Sequence, residues 1–430
     1  MKQFRKYILL WATQSVSQLG SAMTGFALTL WAYTQTHSAM AVSLMAFCNY
    51  VPYIIVSLFV GTFVDRHSKK AIMLVSDSLA AICTLGVLAL SATDNLHIWH
   101  IYAVNAVIGF MNAFQQPASS VAVSRLVPKE KLSNVSGMNS FSANLVTILN
   151  PVLSSPIFSI GGLGTILLID LLSFSGAFLV LLIVIRIPNE PSAVVQKEKR
   201  QSAFSGTREG FIFLGKQRGL LAIMLTMALI NFCSRLTYEN VLSPMVLARS
   251  GDNSFVLGMV NAVMGAGGII GGVIVSVKRP SKRNARMMYV SAALSFLFGD
   301  LLMAVGRNAY VWCAAGIAAS LPIPFIIAGN NVIMYNHVPE EMQGRLFAVR
   351  NAIQSGTVPF GILLGGLLAD YVFEPFMASE SALTSALSIF VGTGAGSGMA
   401  LMFLCTGVTG FLVSCVSYGN KNIKSLDDEE

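Results

Sequence analysis

Long apolar runs constrain this chain more than any other feature. Twelve of them stand at residues 7–33, 41–64, 71–93, 98–121, 137–160, 165–185, 220–241, 256–277, 287–305, 310–335, 347–372 and 387–416. Each is about as long as a helix must be to cross a hydrocarbon core ~30 Å thick. Runs of this length exclude the roughly ten-residue alternating strands of a membrane barrel. The expected fold class is therefore an all-α membrane protein of twelve transmembrane helices. Only 11% of the residues are charged, against about 25% in a soluble domain, so lipid is the solvent for most of the surface.

Charge placement tests that count. Lys2, Arg5 and Lys6 precede the first run, which is too long for the apolar region of a signal peptide and reads as an uncleaved span. With the N-terminus inside, every Lys and Arg except Arg235, Arg249 and Arg307 falls at an inner end, in loops such as 66–70, 125–131, 278–286 and 345–350. Short loops that stay in the cytoplasm carry such an excess. The reading is a multi-pass protein of the cell membrane with both termini cytoplasmic. The net charge of +8 is thus explained by topology, and no basic patch with interleaved aromatics suggests nucleic acid. Cys48, Cys83, Cys233, Cys313, Cys405 and Cys415 all lie in apolar runs without a CxxC spacing, and read as small buried hydrophobes with no disulfide, metal or cofactor role.

A polar linker at 187–218 divides the chain. The expected domains are a six-helix bundle at 1–186, the cytoplasmic linker, a second six-helix bundle at 219–416 and a cytoplasmic tail at 417–430. At a single offset Gly61 maps on Gly272, Phe114 on Phe325, Val127-Pro128 on Val338-Pro339 and Glu130 on Glu341. These matches point to a parallel repeat, an arrangement that places substrate at mid-membrane. The glycine-rich run 392–398 has no phosphate-loop Lys and follows no strand, so close helix packing through small residues is expected there.

Polar groups inside spans are costly and tend to face a protein interior or a watery cavity. Asn231, Arg235 and Glu239 recur every four residues, with Tyr238 beside them. Either Arg235 and Glu239 neutralise each other, or Glu239 lines a cavity and takes up a proton or a cationic ligand. Asp170 is a lone carboxylate that either cycles a proton or is held by nearby serines. Asp77 either pairs with the basic residues of its own loop or joins the proton-coupling set with Asp170 and Glu239. Asp300 and Asp370 lie near outer ends, where hydration suffices. Gln14, Gln18 and Ser21 in the first run, Asn105, Asn112 and Gln116 in the fourth and Asn144 in the fifth form neutral polar stripes. These serve a substrate cavity or bond between helices.

The stretch 61–73, GTFVDRHSKKAIM, sits between two spans with Gly61, Asp65, Arg66, Lys69 and Lys70 in a set pattern. It resembles the loop between helices 2 and 3 of the major facilitator superfamily, although Ser68 and Phe63 stand where that family usually has Gly and Leu. The runs GFMNAFQQPA at 109–118, LVPKE at 126–130 and IDLLSF at 169–174 extend the likeness to the proton-driven drug exporters, the macrolide-efflux and siderophore-exporter group. Asn105 before Gly109 and Asn150-Pro151 depart from that branch, which often has Arg and Gly-Pro there. The resemblance implies a gate formed by Gly61, Asp65, Arg66, Lys69 and Lys70, with intramembrane carboxylates coupling export to proton entry. The expected function is a non-enzymatic, monomeric secondary transporter that exports amphiphilic drugs or related metabolites by proton antiport. A nutrient facilitator or symporter, and a membrane sensor on the same fold, are the alternatives.

Overall fold

The computed structural model describes residues 2–57, 60, 63–64, 67–127, 131–185, 212–215, 217–277, 283–379 and 381–428. Almost all of these are helical, and no strand occurs among them. By contacts the chain divides into two compact units, residues 1–37 with 44–196, and residues 38–43 with 197–430. Among the described residues, nine helices are long and apolar enough to cross a membrane. One of the nine windows contains a break at Gly162 (φ 65°) and so holds two of the runs counted in sequence. Two other long helices, α1 (Lys2–Thr36) and α4 (Ile98–Leu126), fall short of that hydropathy. Their stripes of Gln, Asn and Ser lower it, which is consistent with twelve spans.

In the first unit α1 lies along α5 (Leu132–Leu179), and α3 (Lys69–Ala92) packs on α4. Two apolar clusters hold these helices. One gathers Tyr7, Leu10, Met73, Leu126, Leu181 and Ile185, the other Met23, Leu28, Ile101, Ile166 and Leu167. Outward-facing apolar side chains such as Ile160, Leu172 and Ile183 are 90%, 74% and 72% exposed. In lipid that exposure costs little, because hydrocarbon tails are as apolar as the side chains themselves. Ser68 has a specific role as N-cap of α3, its Oγ accepting from the Ala71 amide.

The second unit includes the start of α2 (Ala39–Ser57) together with the C-terminal half of the sequence. Its chain order is α6 (Arg218–Thr237), α7 (Leu242–Ser250), α8 (Ser254–Val277) and α9 (Asn284–Leu294). A π-helical turn, Ser295–Asp300, carries α9 into α10 (Leu301–Val305). Next come α11 (Ala309–Ser320) and α12 (Ile323–His337), interrupted at Leu321-Pro322, where proline cannot donate the helical bond. α13 (Glu340–Leu368) runs through a second π turn, Ala369–Phe373, into α14 (Glu374–Ala378).

The last apolar run is two elements. Residues 382–391 form a separate short helix, α15 (Ala382–Val391), and the spanning helix is α16 (Ser397–Gly419). The glycine-rich stretch joins them as a loop, with Gly392, Gly394 and Gly396 all at positive φ. That corrects the expectation of simple helix packing, since these three positions need glycine for backbone reasons. Gly398 fits the packing account, because a Cβ there would lie 2.3 Å from the Phe373 carbonyl carbon. The Met399 amide donates to Glu374 Oε1 at 2.9 Å, so this carboxylate caps α16. Arg249 and Arg307 donate to the last carbonyls of α15 at Val391 and Ile389, at 2.8 and 3.0 Å. Within the C-terminal tail, α17 (Lys421–Asp428) buries Ile423 and Leu426 in the unit's core. Its Asp427 accepts from the Ala285 and Arg286 amides at the start of α9.

Candidate functional site

A cavity of about 580 Å³ opens inside the second unit, within the size range of small-molecule pockets. Its apolar wall comes from Met227, Ile230, Met264, Phe296, Ile323, Ile326 and Ile327. Its polar side comes from five elements, one of them α11, which ends at Ser320. α6 and the turn after it supply Asn231, Ser234, Arg235, Tyr238 and Glu239, and the π turn after α9 supplies Ser295 and Asp300. α12 and α13 add Asn330, Asn331 and Arg350. The i, i+4 spacing puts Asn231 and Arg235 on one face of α6, and Glu239 follows them in the turn after it.

Arg235 Nη1 donates to Glu239 Oε2 at 2.6 Å, the ion pair formed among the described residues. The two side chains are 37% and 27% exposed, so the pair stands at the cavity's edge and not in a dry core. Asp300 is more deeply set, with the residue only 1% exposed. Tyr238 Oη donates to its Oδ1 and Thr406 Oγ1 to its Oδ2, each at 2.9 Å. The expectation that Asp300 is merely hydrated is therefore corrected. The π turn inserts one extra residue per turn and delivers the carboxylate between α6 and α16. Asp370 is not simply hydrated either, since Ser38 Oγ and the Ala39 and Met40 amides donate to it, capping α2. Arg350, counted in sequence as an inner-loop charge, lies inside α13 and donates to Asn331 Oδ1 at 2.8 Å.

The first unit holds the other candidates, none of which lines this cavity. Asp170, 5% exposed, accepts from Ser21 Oγ at 3.1 Å and Thr24 Oγ1 at 2.9 Å, and Thr84 also approaches it. Asp77 accepts from Gln115 Nε2 at 2.7 Å, not from a cation of its loop among the described residues. Gln14 stands beside the same carboxylate. Gln116 Oε1 accepts from Tyr53 Oη, and Asn105 Nδ2 turns back to the Ile101 carbonyl. Gln18, Asn112 and Asn144 are exposed. Of the gate residues, Gly61, Asp65 and Arg66 lie outside the described residues. Lys70 Nζ donates to the Leu182 and Ile185 carbonyls at 2.8 Å each, tying α3 to the π-helical end of α5. Lys69 is buried and donates to the His67 carbonyl.

Sequence reasoning missed Asp300, Asn330, Asn331 and Arg350 as cavity groups. Asp300 had a usable signal, a carboxylate two spans on from a Tyr beside the polar stripe of α6. The others had none, because only the crossing of α12 and α13 brings them together.

Comparison with known proteins places this geometry. The Major Facilitator Superfamily profile matches residues 10–361. Macrolide efflux protein A of Streptococcus pyogenes is 26% identical over 373 residues, covering 85% of this chain and 90% of the relative. Enterobactin exporter EntS of Salmonella typhimurium is 24% identical over 359 residues, covering 82% of this chain and 83% of the relative. Among solved structures, a variant of the nucleoside transporter NupG superposes with a TM-score of 0.69 at 12% identity, covering 95% of this chain and 100% of that one. A bacterial homologue of the iron transporter ferroportin gives 0.66 at 13% identity, covering 96% and 99%. These two establish the fold alone. With the family profile spanning most of its length, the chain belongs to the Major Facilitator Superfamily, as a multi-pass membrane transporter of small molecules and not an enzyme.

Proposed function

We propose that this transporter exports amphiphilic small molecules from the cytoplasm by proton antiport with alternating access, working as a monomer in the cell membrane with both termini inside. The observation that carries the reading is the second-unit cavity, an apolar wall facing an ion pair and a carboxylate held by hydroxyls. Relatives named for macrolide efflux, enterobactin export and multidrug efflux support the outward direction.

Asp300 is the coupling residue we favour. A carboxyl group can hold or release one proton, and its partners, Tyr238 and Thr406, are hydroxyls that can serve either state by rotating. Glu239 is the second candidate, with its charge balanced by Arg235 at rest. The loop with Gly61, Asp65, Arg66, Lys69 and Lys70 acts as the inner gate in this scheme, and Asp170 and Asp77 as internal ties of the first unit. The test is uptake of dyes and drugs into inverted vesicles energised with acid inside, with resistance measured in whole cells. Accumulation that collapses when a protonophore is added supports the reading. Equal fluxes with and without the proton gradient would sink antiport, and a preference for inward movement in cells would sink export.

A further inference from the structure

We infer that Asp370 is a proton-operated catch: its ionised carboxylate holds the first turn of α2 on the second unit, and protonation lets that turn go. The inference goes beyond the exporter reading, since it concerns how a helix is held and not what is carried.

α2 is shared between the two units. Ser38–Ser43 count with the second unit, and the rest of the helix, from Leu44, counts with the first. Two sets of contacts hold the shared turn. Asp370, delivered by the π turn after α13, accepts from Ser38 Oγ and from the Ala39 and Met40 amides, the amides at 3.0 and 2.9 Å. Ser38 Oγ in turn accepts from the Ala41 amide at 3.1 Å. One helical turn further on, Asn240 Nδ2 donates to Ser43 Oγ at 2.6 Å and to the Ile362 carbonyl at 2.7 Å. Gly366 lets the backbones meet there, because a Cβ would strike Ser43 Oγ and come within 3.0 Å of Met40 Cα.

Only one of these two sets responds to a proton. Asn240 and Ser43 are fully buried and carry no charge. Asp370 and Ser38 are half-buried, within reach of water. Each Asp370 oxygen receives one backbone amide, Oδ1 that of Ala39 and Oδ2 that of Met40. An amide N–H can only donate, so a proton on either oxygen weakens one of these bonds. It also removes the negative charge that suits a helix N-terminus. The docked turn carries a cost of its own, because Asn240 Oδ1 is buried without a partner. Water satisfies that oxygen once the turn leaves. Charge-assisted bonds at Asp370 thus offset an unpaired acceptor at Asn240, and loss of the charge tips the balance toward release.

Three other charged or titratable groups approach the catch. His37 precedes the turn, with its ring against Tyr33. Glu374, at the start of α14, feels the Asp370 charge but is engaged with the Met399 amide of α16. Arg249 of α7 faces Glu374 and donates to the Val391 carbonyl. On the topology proposed above, the catch lies at the outer face, where an energised cell keeps the higher proton concentration. External acid there frees the start of α2.

Hydrogen–deuterium exchange of the full-length protein in phosphatidylcholine nanodiscs tests the catch. Exchange of the peptide carrying the Ala39 and Met40 amides is followed from about pH 8 to about pH 5, and corrected for the intrinsic pH dependence of amide exchange. The corrected rate should rise at least about tenfold as the pH falls, the effect of losing one charge-assisted bond. Asp370→Asn, which mimics the protonated group, should exchange at the fast rate throughout. His37→Asn and Glu374→Gln should keep the rise. A flat profile in the unaltered protein overturns the inference, as does a rise that survives in Asp370→Asn or disappears in His37→Asn or Glu374→Gln. Should Asp370→Asn not fold, the unaltered protein and the other two variants still decide. Efflux by cells expressing the protein is measured in parallel. Export without the pH-dependent rise overturns the catch alone, and the rise without export overturns the exporter reading alone.

Discussion

Among the described residues each unit carries a deeply buried carboxylate held by hydroxyls, and the two are built differently. In the first unit Asp170 sits on the second arm of α5 and receives Ser21 and Thr24 from α1, with Thr84 of α3 close by. In the second unit Asp300 sits on the π turn after α9 and receives Tyr238 from the end of α6 and Thr406 from α16. By position in their halves the same three spans meet in both places, the first, third and sixth. The carboxylate comes from the sixth span in one and the third in the other. Their surroundings differ more than their bonds. A Cβ at Gly20 would lie 3.0 Å from the Asp170 Cα and 2.4 Å from Ser173 Oγ, so α1 and α5 are in close backbone contact there. Asp300 lines the cavity. On the proposed reading, similar hydrogen bonding serves two uses, a tie between helices at Asp170 and a coupling group at Asp300.

The sharpest way to break this comparison is to neutralise each carboxylate. Asp300→Asn should cut proton-driven accumulation in inverted vesicles by more than about tenfold, a loss worth ~1.4 kcal/mol or more, while the protein still reaches the membrane. Asp170→Asn should keep its proton dependence and lose roughly 1–3 kcal/mol of stability through weakened hydroxyl bonds, seen as a lower unfolding temperature. If Asp170→Asn uncouples transport and Asp300→Asn does not, the roles are reversed.

Glycine contacts sharpen the contrast at somewhat smaller cost. Gly20→Ala pushes α1 against helix backbone and should destabilise by roughly 1–3 kcal/mol. Gly407→Ala meets the Asp300 Cβ and Leu301 Cδ2, both at 2.9 Å. It should disturb substrate affinity at least as much as thermal stability, because the side chain it displaces faces the cavity. Equal ratios of affinity loss to stability loss in the two variants would remove the distinction.

The ion pair has no counterpart among the described residues of the first unit. Arg235→Ala leaves Glu239 without this partner at the edge of a hydrated cavity. Partial exposure scales the effect down from that of a dry pair, to about 1–2 kcal/mol. Glu239→Gln should reduce coupling less than Asp300→Asn and favour anionic over cationic compounds, read as a shift in the ratio of their efflux rates.

The smallest effect belongs to Lys70. Its ammonium caps the carbonyl end of the π-helical stretch below α5, so Lys70→Met should cost about 0.3–1 kcal/mol. A transport loss out of proportion to that figure would show that Lys70 also serves the gate.

Apolar length and charge placement by themselves determined that this chain is a bundle of membrane helices, because both follow from the cost of exposing backbone and charge to hydrocarbon. The pairing of Arg235 with Glu239 was one of two readings the sequence left open, and its four-residue spacing made it possible. The stretch around Asp65 and Asp170 carried the family likeness without any geometry. Tertiary structure alone decided the rest. Asp300 looked hydrated near a span end until a π turn carried it between α6 and α16. The last apolar run read as one helix, yet three left-handed glycines split it, and the charges that cap its pieces, Glu374, Arg249 and Arg307, come from distant segments. Arg350 read as a loop charge, and only the crossing of α12 and α13 turned it toward Asn331 and the cavity. Hydropathy and periodicity report what each helix face needs, while the identity of the group that meets that need depends on which helices cross and at what height.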